Sequence, residues 1–425
     1  MRTIMVPQLV WHGVKDLDLF FPDSWKIETC NMQGYRRPAL TATQIQAAIK
    51  NPLGTPPIRE LARGKQQVVI IFDDIQRATR VAQIVPAVLA ELSLAGIQDK
   101  LIRFVGATGL HAAMNRFDFV NKLGEDVLRR FPVYNHNAFG CCTDIGTTSF
   151  GTRLLVNAEV MSCDLKIAIG SVVPHAFAGF GGGAKIILPG ICHYDTVVEF
   201  HSLASKFQKE HPEVTIGTGI VENNLLRLNM EEAAKKVGLD IKIDTLMNSY
   251  AETVAVYAGS LKSAYPQALE DARRHYDTVP ATGCDIVIAN SFAKVAECES
   301  GLEIAFPSVR KEGGDVVLIG NAPDGHVAHY LAGPWGKINC SRLKMQCGLA
   351  PNVNRLIIYS EYPDLTIYGY FANPENVLVL SKWDDVLNEL ARSRDGTIKV
   401  AVYPNADIQY YSANKGSKVL SFQTQ

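Results

Sequence analysis

The stretch QVVIIFDDIQRATRVAQIVPAVLAELSLAG, residues 67–96, sets the architecture of this chain. It begins with a continuous apolar run, which is typical of a strand buried on both faces of a parallel sheet. A polar turn follows, and residues 81–96 then show the apolar spacing of a helix, with Gly96 suited to cap its end. A strand that passes through a polar turn into a helix is the repeating unit of α/β folds.

Similar apolar runs recur along the chain and predict further buried strands. They lie at 101–105, 165–170, 284–290, 315–320, 355–360, 376–380 and 398–403. Helical patterns, including 223–238 and 263–276, lie between several of them. This alternation predicts an α/β fold made of two Rossmann-like α/β domains with mainly parallel sheets.

The length of the chain, 425 residues, also favours two domains, because it exceeds what one hydrophobic core usually holds. The clearest boundary is YDTVPATG, 276–283, where a charged helix gives way to a proline, a glycine and a new series of strands. We therefore place a cofactor-binding N-terminal domain at 1–277 and a smaller C-terminal domain at 278–403. The polar tail, 404–425, is expected to pack back on the first domain.

Composition argues against several classes of protein. The net charge of −1 disfavours a general binder of nucleic acid or anionic membranes. No apolar stretch approaches the ~20 residues of a membrane helix, and the first residues lack the pattern of a signal peptide. The nine cysteines are scattered and contain no CxxC, which is typical of reduced thiols rather than of a disulfide framework or zinc site. We expect a cytoplasmic protein.

Three polar residues follow the strand at 67–72, at the sheet edge where open α/β folds bind ligands. They are Asp73, Asp74 and Arg77. Two carboxylates and a guanidinium suit a ribose, a carboxylate or a phosphate. The alternative is structural, since either aspartate could cap the next helix and pair with Arg77.

Histidines follow two other strands. His111 comes six residues after the strand at 101–105, behind a turn flanked by glycines, and His175 follows the strand at 165–170. An imidazole titrates close to neutral pH, so it serves well as a general acid or base. A single histidine is more often structural, so neither residue decides the function by itself.

The stretch PHAFAGFGGGAKIILPG, 174–190, places Lys185 after three consecutive glycines. It does not match a P-loop, because Ala184 and Ile186 stand where that motif needs a glycine and a serine or threonine. Glycines permit close approach of the backbone to a ligand, and their N–H groups suit an anion. The residues concerned are Gly181, Gly182 and Gly183.

Lys185 itself lies in an apolar setting. Desolvation lowers the pKa of a lysine and makes its amine a nucleophile, which suits covalent attachment to a carbonyl compound or a cofactor. The alternative is a surface lysine that extends its amine into solvent. Sixteen residues later, helical spacing places His201 on one face with Val197 and Val198, either as a ligand or as a core histidine.

Together, the blocks DDIQRATR, GATGLH and PHAFAGFGGGAKIILPG and the downstream His201 resemble the nickel-dependent lactate racemase family. HNAFG (136–140) and residues 146–170 are similar as well, and all these blocks occur in the order of that family. The resemblance is dense over residues 65–205 and looser elsewhere.

That family uses a nickel-pincer nucleotide, the nickel complex of a pyridinium-3,5-bisthiocarboxylic acid mononucleotide. The resemblance implies that Lys185 holds this cofactor covalently and that His201 ligates the nickel. It also implies a cofactor-binding surface that consists of Asp73, Asp74, Gly181, Gly182 and Gly183.

The implied activity is that of an isomerase, a racemase or epimerase of a 2-hydroxy acid that works by reversible hydride transfer to the tethered cofactor. His111 and His175 match the two acid/base histidines, and Arg77 matches the arginine that holds the substrate carboxylate. The family places its active site in the cleft between its two domains. The implied partners are the hydroxy acid and the proteins that make the cofactor, with no nucleic acid and no membrane.

One block departs from the family pattern. Lactate racemases carry glutamine and lysine in a Q-x-x-K pattern, where this chain has Ser300 and Glu303 within residues 290–306. Because a glutamate repels a carboxylate and accepts hydrogen bonds from hydroxyls, we expect a substrate other than lactate, such as a polyhydroxylated sugar acid epimerised at C2.

Two other functions remain open at this stage. The first is an aldolase-like enzyme or a dehydrogenase in which Lys185 forms a Schiff base with the substrate. The second is a non-catalytic cofactor-binding protein. The presence of both His111 and His175 argues against the second, because a carrier needs only Lys185 and His201.

Overall fold

The structure, a computed structural model, describes residues 2–210, 216–331, 345–392, 397–412 and 422–424. The chain divides into two compact units. The central unit is Arg36–Arg273, and the terminal unit combines Met1–Tyr35 with Arg274–Gln425.

The strands of the described residues are, in chain order, β1 (Arg2–Gln8), β2 (Lys15–Phe21), β3 (Lys26–Thr29), β4 (Val68–Asp73), β5 (Ile102–Ala107), β6 (Val133–Asn135), β7 (Cys142–Thr147), β8 (Arg153–Asn157), β9 (Leu165–Ser171), β10 (Pro174–His175), β11 (Gly179–Phe180), β12 (Ile241–Met247), β13 (Thr253–Gly259), β14 (Ile286–Asn290), β15 (Gly314–Ile319), β16 (Met345–Cys347), β17 (Val353–Tyr359), β18 (Val377–Leu380), β19 (Lys399–Tyr403) and β20 (Phe422–Thr424).

The helices are α1 (Ala42–Lys50), α2 (Ile58–Leu61), α3 (Val81–Leu94), α4 (Arg116–Leu123), α5 (Glu125–Arg130), α6 (Ala158–Met161), α7 (Tyr194–Glu210), α8 (Leu225–Val237), α9 (Leu261–His275), α10 (Leu302–Ala305) and α11 (Trp383–Ala391). Short 3-10 turns include Gly183–Ile186 and Val295–Gly301. Within the described residues, no helix combines the length and the apolar composition that a membrane crossing requires.

The central unit is built on a six-stranded sheet of order β13-β12-β9-β4-β5-β6, in which only the edge pair β12–β13 is antiparallel. The middle strand β4 is apolar and buried on both faces from residue 68 to residue 72, as its sequence predicts, and it ends in Asp73. Along the chain β4 leads to β5 on one side, whereas β9 lies on its other side. Strand order therefore reverses at β4, which is where open α/β sheets bind ligands.

The terminal unit is built on a second six-stranded sheet, of order β18-β17-β15-β14-β19-β3, in which every neighbouring pair is parallel. Its β-branched strands are fully buried in the middle of the sheet. The prediction of an α/β fold with mainly parallel sheets is therefore confirmed, and each apolar run named above is a strand.

The first 35 residues belong to the terminal unit, which corrects the expected N-terminal domain of residues 1–277. Strand β3 pairs in parallel with β19, with Ile27 opposite Val400. Phe21 and Trp25 pack in the same apolar cluster as Trp383. The partner of such a short edge strand lies about 370 residues away in the sequence, so no local pattern reveals the pairing.

The tail also differs from the expectation, as far as it is described. Residues 404–411 are buried within the terminal unit, where Asp407 Oδ2 accepts hydrogen bonds from the backbone N–H groups of Phe292 (3.0 Å) and Lys294 (2.5 Å). Strand β20 pairs with β16 in the same unit. Residues 413–421 and 425 lie outside the described part of the chain.

Candidate active site

Asp73 ends β4, and its carboxylate is bound on both oxygens by neighbouring side chains. Oδ2 accepts a hydrogen bond from Thr79 Oγ1 at 2.5 Å, and Oδ1 accepts one from the buried Lys122 Nζ at 2.7 Å. Lys122 also donates to the carbonyl oxygen of Arg77 at 2.9 Å. Burial raises the pKa of Asp73 and lowers the pKa of Lys122, while the attraction between the two charges opposes both shifts. This pair therefore anchors the turn that carries Arg77.

Asp74 points to a histidine. Its Oδ2 lies 2.5 Å from Nδ1 of His111, and its Oδ1 accepts a hydrogen bond from the backbone N–H of Gln76 at 3.2 Å. A carboxylate only accepts, so Nδ1 of His111 carries the proton and Nε2 holds the lone pair. Neither aspartate caps α3, which begins at Val81 with Arg80 as its N-cap. The sequence did not indicate this carboxylate–imidazole pair.

His175 is held in the opposite tautomer. Its Nδ1 accepts hydrogen bonds from the backbone N–H groups of Phe177 (3.1 Å) and Ala178 (3.3 Å). An imidazole nitrogen that accepts carries no proton, so in the neutral ring the proton is on Nε2. The two histidines therefore present different atoms, a basic Nε2 on His111 and an Nε2–H donor on His175.

Two of the three glycine N–H groups before Lys185 are bound within the protein and are not available to the expected anion cradle. Gly181 donates to the carbonyl oxygen of Val173 at 2.7 Å, and Gly183 donates to both carboxylate oxygens of Asp244 at 3.0 and 3.2 Å. Steric space and backbone conformation explain why glycines occur in this stretch. Gly183 has a φ of +56°, and a Cβ atom there would lie 2.7 Å from the ring of Tyr265.

Lys185 lies in the 3-10 turn that follows these glycines and is half-buried. Its apolar neighbours are almost inaccessible to solvent, with Ala184, Ile186 and Ile187 all buried. The apolar setting that the sequence predicts is therefore present along the backbone on either side of this lysine.

His201 lies in α7 and has the features of a metal ligand. Its Nδ1 donates to the carbonyl oxygen of Val197, one helical turn earlier, at 2.8 Å, which leaves the lone pair on Nε2. Burial, together with the charge of Lys185, lowers the pKa of His201 to about 4, although the hydrogen bond to Val197 opposes this shift. The ring is therefore neutral at neutral pH, which is the form that binds metals.

The residues named from the blocks between 65 and 205 all lie in the central unit, and short contacts link several of them. The Phe177 ring contacts two of the histidines. Its centroid lies 6.3 Å from the centroid of the His175 ring and 5.8 Å from the centroid of the His201 ring. The turn that carries His111 is joined to the end of the glycine-rich stretch, because Gly109 N–H donates to Gly190 O at 2.9 Å.

Ser300 and Glu303 lie in the terminal unit, at the end of the 3-10 turn Val295–Gly301 and in α10. Ser300 Oγ is inaccessible to solvent and has no hydrogen-bond partner among the described residues. Burial, with repulsion from Glu297, raises the pKa of the neighbouring Glu299 to about 8. This carboxyl group is therefore largely protonated at neutral pH and able to donate a hydrogen bond.

Comparison with known proteins gives a consistent set of relatives. Residues 12–212 match the family model described as "Lactate racemase N-terminal domain". The lactate racemases of Lactiplantibacillus plantarum and Thermoanaerobacterium thermosaccharolyticum are each 30% identical over 289 residues. Each alignment covers 66% of this chain and 66% of the relative's length.

Solved structures show a similar fold. The lactate racemase apoprotein of Thermoanaerobacterium thermosaccharolyticum superposes with a TM-score of 0.71 at 22% identity, over 96% of this chain and 100% of that one. A protein from Thermotoga maritima superposes with a TM-score of 0.63 at 17% identity, over 88% of this chain and 98% of that one.

Proposed function

The chain belongs to the lactate racemase family, and from this premise we propose that it is a racemase or epimerase of a 2-hydroxy acid. The observation that carries the proposal is the pair of histidines in opposite tautomers, one oriented by Asp74 and the other by backbone N–H groups. A base and a hydrogen-bond donor are the two groups that a hydroxyl requires when it becomes a carbonyl and returns to a hydroxyl.

In this proposal His111 moves the proton. Its Nε2 takes the proton of the substrate hydroxyl as the hydrogen on C2 leaves with its electron pair, which gives a 2-oxo acid. The imidazolium that forms is stabilised by Asp74, whose Oδ2 accepts from Nδ1. His111 returns the proton when the electron pair and hydrogen come back to the opposite face of C2.

His175 has a different role in this proposal. Its Nδ1 accepts two backbone hydrogen bonds, so a second proton has no place on the ring while these bonds persist. The Nε2–H group therefore polarises and orients the substrate oxygen. For His175 to act as a base, the two N–H contacts must first break, at a cost of about 1 kcal/mol each.

The residues present fit the family cofactor. His201, neutral and with Nδ1–H bound to Val197, offers Nε2 to nickel, and Lys185 offers an amine for covalent attachment. When bound, the nickel-pincer nucleotide supplies reversible acceptance of a hydride, which no protein side chain provides. Asp73 contributes by anchoring the turn of Arg77, which we propose to hold the substrate carboxylate.

We propose a substrate other than lactate. Glu303 replaces the family lysine, the buried Ser300 hydroxyl has no hydrogen-bond partner among the residues that the structure describes, and the raised pKa of Glu299, about 8, leaves its carboxyl largely protonated at neutral pH. These groups exchange hydrogen bonds with hydroxyls and do not attract a second anion. A polyhydroxylated 2-hydroxy acid matches that chemistry better than lactate does.

The test of this function is production of the protein together with the cofactor-making enzymes, followed by intact mass and nickel analysis. We expect an adduct on Lys185 and about one nickel per chain. Lys185→Ala should lose the adduct, and Lys236→Ala, at an exposed site on α8, should keep it. Loaded protein is then supplied with hydroxy acids in D₂O.

The solvent label separates two kinds of chemistry. A hydrogen that leaves C2 as hydride does not exchange with water, so the epimerised product retains protium at C2. Deuterium at C2 of the product would instead show proton abstraction from carbon and would contradict the proposal. An active protein without adduct or nickel would favour the Schiff-base enzyme.

A further inference from the structure

The first turn of α8 binds the carbonyl oxygens of the stretch that carries His175 and Lys185. Asn224, the N-cap of α8, donates from Nδ2 to Phe177 O at 2.9 Å. Arg227 donates to three further carbonyls, those of Ala178 (3.4 Å), Phe180 and Gly182 (3.1 Å). One helix end therefore fixes four backbone carbonyls within residues 177–182.

A second charged side chain binds the same stretch from β12. Both carboxylate oxygens of Asp244 accept from the N–H of Gly183, and Oδ1 also accepts from Lys242 Nζ at 2.7 Å. The side chains of Asp244 and Lys242 are fully buried. Gly183 is two residues before Lys185, so Asp244 fixes the start of the turn that presents the amine.

These charges are buried at a cost. Arg227 is 1% exposed, and its guanidinium stacks on the ring of Tyr265 at 4.6 Å. Desolvating a charged group is unfavourable unless hydrogen bonds compensate, and for Arg227 the compensating hydrogen-bond partners are backbone carbonyls of a single stretch, whereas Asp244 binds Gly183 N–H of that stretch and Lys242. An apolar core would stabilise the unit without this cost but would leave these carbonyls and N–H groups unbound.

We propose that Arg227 and Asp244 are positioning residues, which hold the backbone of residues 177–183 so that His175 keeps its tautomer and Lys185 keeps its place for the cofactor. The catalytic significance of this inference rests on the proposed function, whereas the positioning itself does not. The N–H groups of Phe177 and Ala178 bind His175 Nδ1, and their neighbouring carbonyls are the ones that Asn224 and Arg227 hold.

The experiment is histidine ¹⁵N NMR of the cofactor-free protein, which reports the tautomer of each ring. We expect a fixed Nε2–H signal for His175 in the wild type. Arg227→Lys replaces a fork of donors by one ammonium, which does not span three carbonyls. In this variant we expect the His175 signals to shift towards the average of two tautomers.

Two controls separate positioning from general damage. His136 is buried, with Nε2 2.9 Å from Cys192 O, and its signals should stay unchanged if the unit remains folded. The matched substitution Arg153→Lys, at an exposed arginine paired with Asp144, should leave His175 as in the wild type. Unchanged His175 signals in Arg227→Lys would overturn the proposal.

The variant Asp244→Asn tests the positioning proposal independently, and it remains informative if Arg227→Lys does not fold. It keeps the size of the side chain and removes the charge that binds Gly183 N–H and Lys242. When made with the cofactor-making enzymes, it should carry the Lys185 adduct on about tenfold fewer chains than the wild type. Full cofactor loading of Asp244→Asn would overturn the positioning role assigned to Asp244.

The positioning proposal and the proposed function fail separately. If even the wild type acquires no adduct, the proposed function fails, while the NMR comparison still decides whether Arg227 positions the stretch that carries His175.

Discussion

Asp74 and His111 form a carboxylate–imidazole pair in which Oδ2 lies 2.5 Å from Nδ1, with the aspartate 4% and the histidine 14% exposed. Asparagine at position 74 can donate to Nδ1 and so favours the tautomer with its proton on Nε2. We expect Asp74→Asn to lower the rate of racemisation on the order of 10³-fold, the usual size of a lost general base.

The measurement is turnover of the best hydroxy acid by the loaded enzyme, with adduct and nickel quantified in the same sample. Asp126→Asn, at an exposed aspartate on α5, is the matched control and should leave the rate unchanged. A rate for Asp74→Asn within about threefold of the wild type would remove His111 from the proposed role of base.

His201→Ala separates the two attachments of the cofactor. The amine of Lys185 is untouched, so the mass adduct should persist, while the nickel content falls by about tenfold or more because one ligand is lost. Metal analysis and intact mass on one preparation check both parts. His193→Ala, at the residue before α7, is the control and should retain nickel; equal nickel in both variants would show that His201 is not the ligand.

Acid should destabilise the protein through a buried histidine. Burial lowers the pKa of His136 to about 4, below its ordinary value of 6.5. Between these values the unfolded chain binds the extra proton, so the free energy of unfolding falls as the pH drops from 6.5 towards 4. For this one group the loss between pH 7 and pH 5 is about 2 kcal/mol.

Urea unfolding at the two pH values measures this loss. The variant His136→Gln should show a smaller difference between pH 7 and pH 5 than the wild type, by about 2 kcal/mol. An identical difference in the two proteins would mean that His136 is charged in the folded state or titrates equally in both states.

Alanine substitutions at two glycines with positive φ separate the stability cost of backbone strain from the cost of a steric clash. At Gly151, φ is +86° and an added Cβ meets nothing within 4 Å, so Gly151→Ala should cost about 1 kcal/mol of stability. At Gly183 a Cβ would also meet the Tyr265 ring at 2.7 Å, so Gly183→Ala should cost a further 1–3 kcal/mol or so. Chemical denaturation of both variants checks the order, and equal costs would show that the ring moves freely aside.

Glu303→Lys restores the charge that the family pattern carries at this position. If Glu303 selects against a second anion, this variant should turn over lactate at least about tenfold faster relative to the best polyhydroxylated acid. A panel of hydroxy acids assayed with wild type and variant measures the ratio. A wild type that turns over lactate alone would contradict the proposed substrate class.

Much of the fold was predictable because the buried strands are continuous apolar runs and the helices between them have clear spacing. Three strand ends carrying Asp73, His111 and His175 pointed to one sheet edge, and the structure gathers them in the central unit. The charged residues behind the glycine-rich stretch were missed. Lys242 and Asp244 stand at alternate positions of the strand IKIDTLM, between isoleucines, and that unusual pattern of charges was the available signal.

The role of the glycines could not be read from the sequence either. Glycine serves equally well for a ligand that approaches the backbone and for a side chain that does so. Only the positions of Tyr265, Arg227 and Asp244, which come from distant helices and a distant strand, distinguish the two cases.

The pairing of β3 with β19 has a consequence for synthesis on the ribosome. Thr29 leaves the exit tunnel long before Lys399 is translated, and the delay is roughly 20–70 s at ordinary elongation rates. Until residues 383–403 are made, β3 with Ile27 has no partner strand and Phe21 lacks its contact with Trp383, whereas the central unit, whose chain is continuous, has all its strands once residue 273 is translated. The nascent chain should therefore complete its middle first, and its exposed beginning is the segment that a chaperone would protect.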